Sequence, residues 1–285
     1  MYDIQYTSYS ENMLINGVSS EVVSVKDRGL LYGDGVFETI LCEAGRPVLL
    51  AGHTQRLENG CKRLGLVKQD LSVLLAEIRE VAQQDDCVVK VIITRGVRKR
   101  GYVYDMQDTS CTRIVYREDL PVIPVDYYRD GIQLTQCEYV LPNNKVLAGI
   151  KHLNRLDQVM ARSEWSGTFA EGIMCASDGR VVEGTMTNIF IQSDSQWLTP
   201  RLEYSGILGV MRQWIMRNSF HAQMECIEKD IQLSELENAQ SIFVCNSVIG
   251  IWPVTQFKDK NYYISPEVSK IMKQANSSLT RLFPA

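Results

Sequence analysis

The stretch Val146-Leu147-Ala148-Gly149-Ile150-Lys151-His152-Leu153-Asn154-Arg155-Leu156 is mostly apolar and carries one primary amine near its middle. An amine drawn into an apolar pocket loses the hydration of its charged form, and full burial lowers a lysine pKa by roughly 3 to 5 units, leaving a neutral nucleophile. Such a lysine can form a Schiff base with a carbonyl carbon. The same residues also suit a surface lysine whose stem lies along an apolar segment while its ammonium stays in water. Other parts of the chain choose between the two.

With 285 residues, 45% of them hydrophobic, the chain can bury one large core or two of ordinary size. Two domains are expected: residues 1–120 as a smaller N-terminal α/β domain, residues 121–126 as linker, and residues 127–285 as a larger domain carrying the lysine. The linker is read from Leu120-Pro121-Val122-Ile123-Pro124-Val125, where two prolines enforce an extended path. A net charge of -4 leaves no Lys/Arg excess to displace counterions from phosphates, so a sequence-independent grip on nucleic acid is not expected. Cys42, Cys61, Cys87, Cys111, Cys137, Cys175, Cys226 and Cys245 stand singly, without a C-x-x-C pair or a histidine at ligand spacing, so the sequence supports no metal site. Residues 1–10 lack a basic stretch followed by an apolar one, and apolar runs are broken by charge before ~18 residues. A cytoplasmic protein with reduced thiols and no membrane span is expected.

Asn16-Gly17 supplies the positive φ values of a tight hairpin between residues 13–15 and a second strand at 21–25. Gly33-Asp34-Gly35 precedes an alternating β-branched run, and glycines there suggest that something approaches the backbone closely. His53, Arg56 and Leu57 share one face of a helix, an unusual place for an arginine. Residues 71–81 read as an amphipathic helix, and residues 87–95 and 111–117 as strands. After the lysine, Leu156, Val159, Met160 and Ser163 carry another amphipathic helix. Residues 171–176 and 181–191 read as a hairpin turning at Asp178-Gly179. Gly206-Ile207-Leu208-Gly209-Val210-Met211-Arg212 is a glycine-rich entry into a helix over residues 210–220, where unpaired backbone N–H groups and the helix dipole favour an anion. Strands at 241–248 and 251–257 and a helix at 266–282 close the chain.

A lysine in an apolar stretch, an arginine on a packed helix face, a glycine-rich helix start and Glu183 in an apolar strand region together suit one cofactor. Pyridoxal phosphate needs a Schiff-base lysine, a phosphate cup and an acid facing its ring nitrogen. A buried Glu183 is costly without a cationic partner, and that protonated nitrogen would serve.

The chain resembles the fold type IV pyridoxal-phosphate enzymes nearly end to end. The resemblance rests on Asp27-Arg28, Gly33-Asp34-Gly35, His53-Thr54-Gln55-Arg56-Leu57, the run from Ala148 to Leu156, Val182-Glu183-Gly184 and Gly209-Val210-Met211-Arg212-Gln213. It implies a two-domain α+β fold of the D-amino acid transaminase type, pyridoxal 5'-phosphate as cofactor, and a homodimer. Within the family it leans to the aminodeoxychorismate lyases, implying conversion of 4-amino-4-deoxychorismate to 4-aminobenzoate and pyruvate in folate biosynthesis. Branched-chain or D-amino acid transamination is the alternative. Matched position by position, Lys151 bonds to the cofactor and Glu183 faces the ring nitrogen. Arg56, the backbone amides of Val210 and Met211, and Ser247 hold the phosphate. Thr39 handles a proton, Asn246 touches substrate, and Arg100 takes a substrate carboxylate unless Arg98 has that role. Glu38 stands where the lyases carry Thr, and in this it is similar to the transaminases.

Overall fold

The computed structural model describes residues 12–104, 110–194, 196–222 and 224–284; the stretch 1–10 lies outside them. The chain divides into two compact units, one of Met1–Pro121 together with Lys151–Asn154, the other of Val122–Ile150 and Arg155–Ala285. The segment Lys151–Asn154 thus belongs with the first unit, not with the second half in which the sequence reading placed the lysine. The reason is backbone pairing, described below.

The first unit comprises β1 (Met13–Ile15), β2 (Val18–Ser19), α1 (Arg28–Tyr32), β3 (Gly35–Glu43), β4 (Arg46–Pro47), α2 (Leu50–Leu64), α3 (Leu71–Ala82), β5 (Cys87–Thr94) and β6 (Thr112–Glu118). Its six strands form a sheet of order β2-β1-β6-β5-β3-β4. Asn16 and Gly17 have φ of 52° and 79°, and Ile15 pairs with Val18. A two-residue turn restarts the strand at once, so the second strand lies at Val18–Ser19 and not at residues 21–25. Asp27 caps α1 through Gly29 N–H at 2.7 Å, and Asp70 caps α3 through Ser72 N–H at 2.9 Å. Leu57, Cys61, Leu74, Ile78, Val81, Val89, Val91 and Ile93 are buried and supply this unit's core.

The second unit comprises α4 (Asp126–Arg129), β7 (Ile132–Leu141), α5 (Leu156–Arg162), β8 (Glu171–Ala176), β9 (Arg180–Gly184), β10 (Asn188–Ser193), β11 (Gln196–Pro200), α6 (Val210–Asn218), β12 (Cys226–Lys229), β13 (Ile231–Gln232), α7 (Leu233–Glu237), β14 (Ser241–Asn246), β15 (Gly250–Phe257), β16 (Lys260–Asn261) and α8 (Pro266–Ser278). Its sheet runs β12-β11-β10-β14-β15-β7-β8-β9-β13, with β16 on β15. Ile132, Leu134, Ile173, Ile189, Ile191, Val244 and Val254 pack into one core on it.

Two expectations change here. The expected strand over 181–191 is two strands, because Thr185, Met186 and Thr187 wrap around the buried carboxylate of Glu171. Oε1 accepts from Gly172 N–H, Thr185 N–H and Thr185 O–H, and Oε2 from Met186 N–H and Thr187 O–H. In α5 only Ala161 is buried, while Leu156, Val159 and Met160 are 74%, 58% and 53% exposed. That helix therefore turns its apolar stripe outward. Among the described residues no helix is long and apolar enough to cross a membrane.

Candidate active site

Lys151 is placed by its neighbours' backbone. Phe37 N–H donates to the Lys151 carbonyl at 2.9 Å, Leu153 N–H to the Gly35 carbonyl at 3.0 Å, and His152 bridges Val36 in antiparallel sense. Asn154 adds an Nδ2–H bond to the Gly33 carbonyl at 3.1 Å. The segment makes a single antiparallel bridge to the start of β3. A Cβ at Gly33 would stand 2.5 Å from Asn154 Oδ1, and one at Gly35 would stand 2.7 Å from Leu153 Cδ1. The two glycines of Gly33-Asp34-Gly35 therefore let the lysine segment dock. Half-buried Lys151 holds its Nζ 4.3 Å from the Phe37 ring centroid, a cation–π distance. Strand alternation puts Thr39 on the same face of β3 as Phe37 and Glu38 on the other.

On that other face Glu38 meets α2. Arg56 Nε donates to Oε1 at 2.8 Å and Nη2 to Oε2 at 2.5 Å, while His53 Nδ1 lies 2.7 Å from Oε2. Glu38 and His53 are fully buried. Burial raises the Glu38 pKa, but Arg56 and His53 outweigh it and hold the carboxyl down at about 2. Burial pulls the His53 pKa down, against the pull of Glu38, and Arg56 and Lys151 add to the lowering. The lowering favours the neutral ring, and beside an ionised carboxylate, which can only accept, the Nδ1 contact requires the proton on Nδ1.

In the second unit Glu183 is 3% exposed on β9. Met174 pairs with Glu183 but Cys175 pairs with Val181, so Val182 is an extra residue that sets the face from which Glu183 projects. Ile207 N–H donates to Oε2 at 2.7 Å, and Gln158 Nε2 lies 3.4 Å from Oε1. Gly206, at φ +86°, is needed there: a Cβ would stand 2.9 Å from Val182 Cγ1 and 3.2 Å from Glu183 Oε2. Arg155 is nearby, and burial draws its pKa down while Glu183 and Asp157 pull it up.

Three residues after Glu183's backbone donor, α6 begins. Its N-cap Gly209 is extended, at φ -65° and ψ 138°, and, having no side chain, makes no side-chain cap bond. Val210 and Met211 are buried by their side chains, so what they can offer a ligand is backbone N–H. Arg212 is not part of that offer. It is locked beneath the helix start by Thr199 Oγ1, the Pro200 carbonyl and Glu228.

A model of the class IV amino-transferase family matches residues 35–257, from the start of β3 to the end of β15. The chain belongs to that family. It is 30% identical over 267 residues to the aminodeoxychorismate lyase of Vibrio harveyi, covering 93% of this chain and 98% of the relative. The crystal structure of 4-amino-4-deoxychorismate lyase from Pseudomonas aeruginosa superposes with a TM-score of 0.89 at 37% identity, covering 93% of this chain and 98% of that one. A protein of Mycobacterium tuberculosis named as bifunctional aminodeoxychorismate lyase and D-amino acid transaminase is 25% identical, over 78% of this chain and 81% of its own.

In this class IV chain the expected substrate residues are arranged differently from the expected cofactor residues. Asn246 spends its side chain on the turn after β14: Oδ1 accepts from Val248 and Ile249 N–H at 2.8 and 2.9 Å, and Nδ2 donates to the Met186 carbonyl at 3.1 Å. These bonds shape the turn that carries half-buried Ser247 and leave at most one Asn246 N–H for a ligand. Arg98 folds back on its own loop, donating to the hydroxyl and carbonyl of Ser110, whereas Arg100 is exposed. The sequence reading did not find what anchors this loop. Buried Arg28 donates to the Gly101 and Tyr102 carbonyls at 2.7 and 3.3 Å and is itself held by Asp34 at 2.8 Å. Of the Asp27-Arg28 pair, Arg28 ties this loop to α1, while Asp27 accepts from Gly29 N–H and from the Thr94 and Thr112 hydroxyls. Arg155, Gln158 and the Ile207 amide around Glu183 were missed too, since no spacing links them.

Proposed function

We propose that the protein is a pyridoxal-phosphate-dependent lyase that converts 4-amino-4-deoxychorismate to 4-aminobenzoate and pyruvate. The observation that carries this reading is the Lys151 amine, seated against Phe37 by a segment docked on β3, in a chain that matches lyase relatives along nearly their whole length. When bound, pyridoxal phosphate supplies an aldehyde that takes the substrate amine and a conjugated ring that accepts the electrons of the C4–H bond.

The residues fit that group. The start of α6, whose N-cap glycine has no side chain, offers the Val210 and Met211 amides to a phosphate, and the family resemblance assigns a phosphate role to the Ser247 hydroxyl and, in the first unit, to the Arg56 guanidinium. Glu183, fixed by the Ile207 N–H, is the carboxylate for the ring nitrogen. Lys151 Nζ removes the C4 proton. Expulsion of the enolpyruvyl oxygen from C3 then aromatises the ring, and the Thr39 hydroxyl assists protonation of the departing group. Substrate divides into the two products with no water or second substrate added. Arg100 takes a substrate carboxylate. Glu38, the residue similar to the transaminases, is occupied by Arg56 and His53, so it offers no proton to either reaction and does not favour transamination.

Given 4-amino-4-deoxychorismate alone, the holoenzyme is expected to release 4-aminobenzoate and pyruvate in equal amounts over many turnovers. Turnover that depends on added 2-oxoglutarate and yields no aromatic amine would replace this reading with the transaminase one. We also infer a homodimer, supported by the outward apolar residues Leu156, Val159 and Met160 of α5 and Leu30 and Leu31 of α1. Sedimentation at assay concentration should give twice the chain mass, and an active monomer would count against it.

A further inference from the structure

We propose that Glu38 and His53 are positioning residues that hold the Arg56 guanidinium in the plane and direction in which it meets the cofactor phosphate. The inference rests on the cofactor reading above. An arginine on a helix has four flexible torsions, and an unrestrained one must give up that freedom on binding an anion. Here the freedom is already gone. The two-point contact through Nε and Nη2, at 2.8 and 2.5 Å, fixes the guanidinium plane as a single bond does not. The Arg56 side chain is 9% exposed and that of Glu38 1%, so water does not compete for the pair.

His53 stands behind Glu38. Its Nδ1 is 2.7 Å from Oε2, which keeps the carboxylate from turning away from Arg56. Its Nε2 is buried with no hydrogen-bond partner among the described residues. Leaving a buried acceptor without a donor is costly, and an apolar side chain would fill the space without that cost. The Nδ1 contact is what a histidine provides here and a leucine does not. It also explains why His53 and Arg56, one helical turn apart, face the sheet together.

Simple electrostatics predicts the opposite of this proposal. Glu38 cancels the charge of Arg56, so removing its charge should strengthen the hold on a phosphate. The two accounts are separated by titrating apoprotein with pyridoxal phosphate and with pyridoxal, which lacks the phosphate, following absorbance, with a melting curve for each variant. Glu38→Gln is expected to weaken pyridoxal phosphate at least about tenfold while changing pyridoxal little, since a hydrogen bond to a charged group is lost behind the phosphate ligand. His53→Leu should act in the same direction. His53→Asn, whose amide N–H can replace Nδ1–H, should restore affinity.

Unchanged or tighter binding of pyridoxal phosphate by a folded Glu38→Gln protein overturns the proposal, as does equal weakening of both ligands. If Glu38→Gln does not fold, the two His53 variants decide: equal affinity in Leu and Asn forms overturns it. Failure of the wild-type protein to bind pyridoxal phosphate is a separate result, and it removes the cofactor reading itself.

Discussion

Lys151→Ala is expected to lose turnover by at least about a thousandfold, because under the proposed function one substitution removes both the group that would attach to the cofactor and the base that would take the C4 proton. The fold should survive. Lys151 is half-buried, and what docks its segment is backbone: the Lys151 carbonyl, the Leu153 N–H and the His152 bridge are all kept by alanine. The variant should melt close to wild type and still bind pyridoxal phosphate through its phosphate. Borohydride should then fix no cofactor to the chain, whereas it should in the wild type. Since added amines can substitute for a missing lysine, the assay belongs in amine-free buffer. Turnover retained there would remove Lys151 from the mechanism.

Glu183→Gln is expected to lower kcat by roughly a hundredfold or more, with a much smaller effect on cofactor affinity. The amide keeps the side-chain volume, and its oxygen still accepts from the Ile207 N–H. What it loses is the negative charge. A buried charge left without its counterpart costs about 3 to 5 kcal/mol, and each 1.36 kcal/mol is about tenfold in rate. The loss falls where the ring nitrogen must stay protonated to draw electrons from substrate. The paired measurement is kcat against bound cofactor. A hundredfold loss of cofactor with kcat per bound site unchanged would make Glu183 an anchor and nothing more.

How far the sequence could be read depended on the range of the interaction. The α2 face was legible because His53, Arg56 and Leu57 recur at helical spacing, a local signal. Their partner Glu38 was not tied to them, since strand alternation says which face a residue takes but not which helix packs there. The glycines at 33 and 35 were legible as a close approach, and the sequence did not say that residues 151–154 make it. The apolar run from Val181 to Ile191 reads as one strand until Glu171, far back in the chain, draws Thr185 and Thr187 around its carboxylate. In α5 periodicity was right about the helix and silent about its direction. Leu156, Val159 and Met160 form a stripe left more than half exposed. Lys151, Glu183 and the start of α6, the residues proposed for the cofactor, stand out in the sequence because each combines an unusual residue with an unusual setting. Asn246 and Arg98 look like polar ligands in sequence; in the structure Arg98 bonds to its own loop, and Asn246 to the turn after β14 and to the Met186 carbonyl.

The docking of Lys151–Asn154 on β3 also bears on the order in which the chain can fold. As the ribosome delivers the protein, residues up to Pro121 emerge with most of their sheet, yet the Phe37 N–H and Gly35 carbonyl have no strand to meet. Their partners arrive only after residues 122–150, which belong to the other unit. The last pairing of the first unit therefore waits on synthesis of the start of the second, and a fragment cut at Pro121 carries an open strand edge of the kind that recruits another chain. The loop-closure cost of bringing these distant residues together is met once, at the lysine. During synthesis the Lys151 amine can therefore take its place only after all the strands of the first unit have been made.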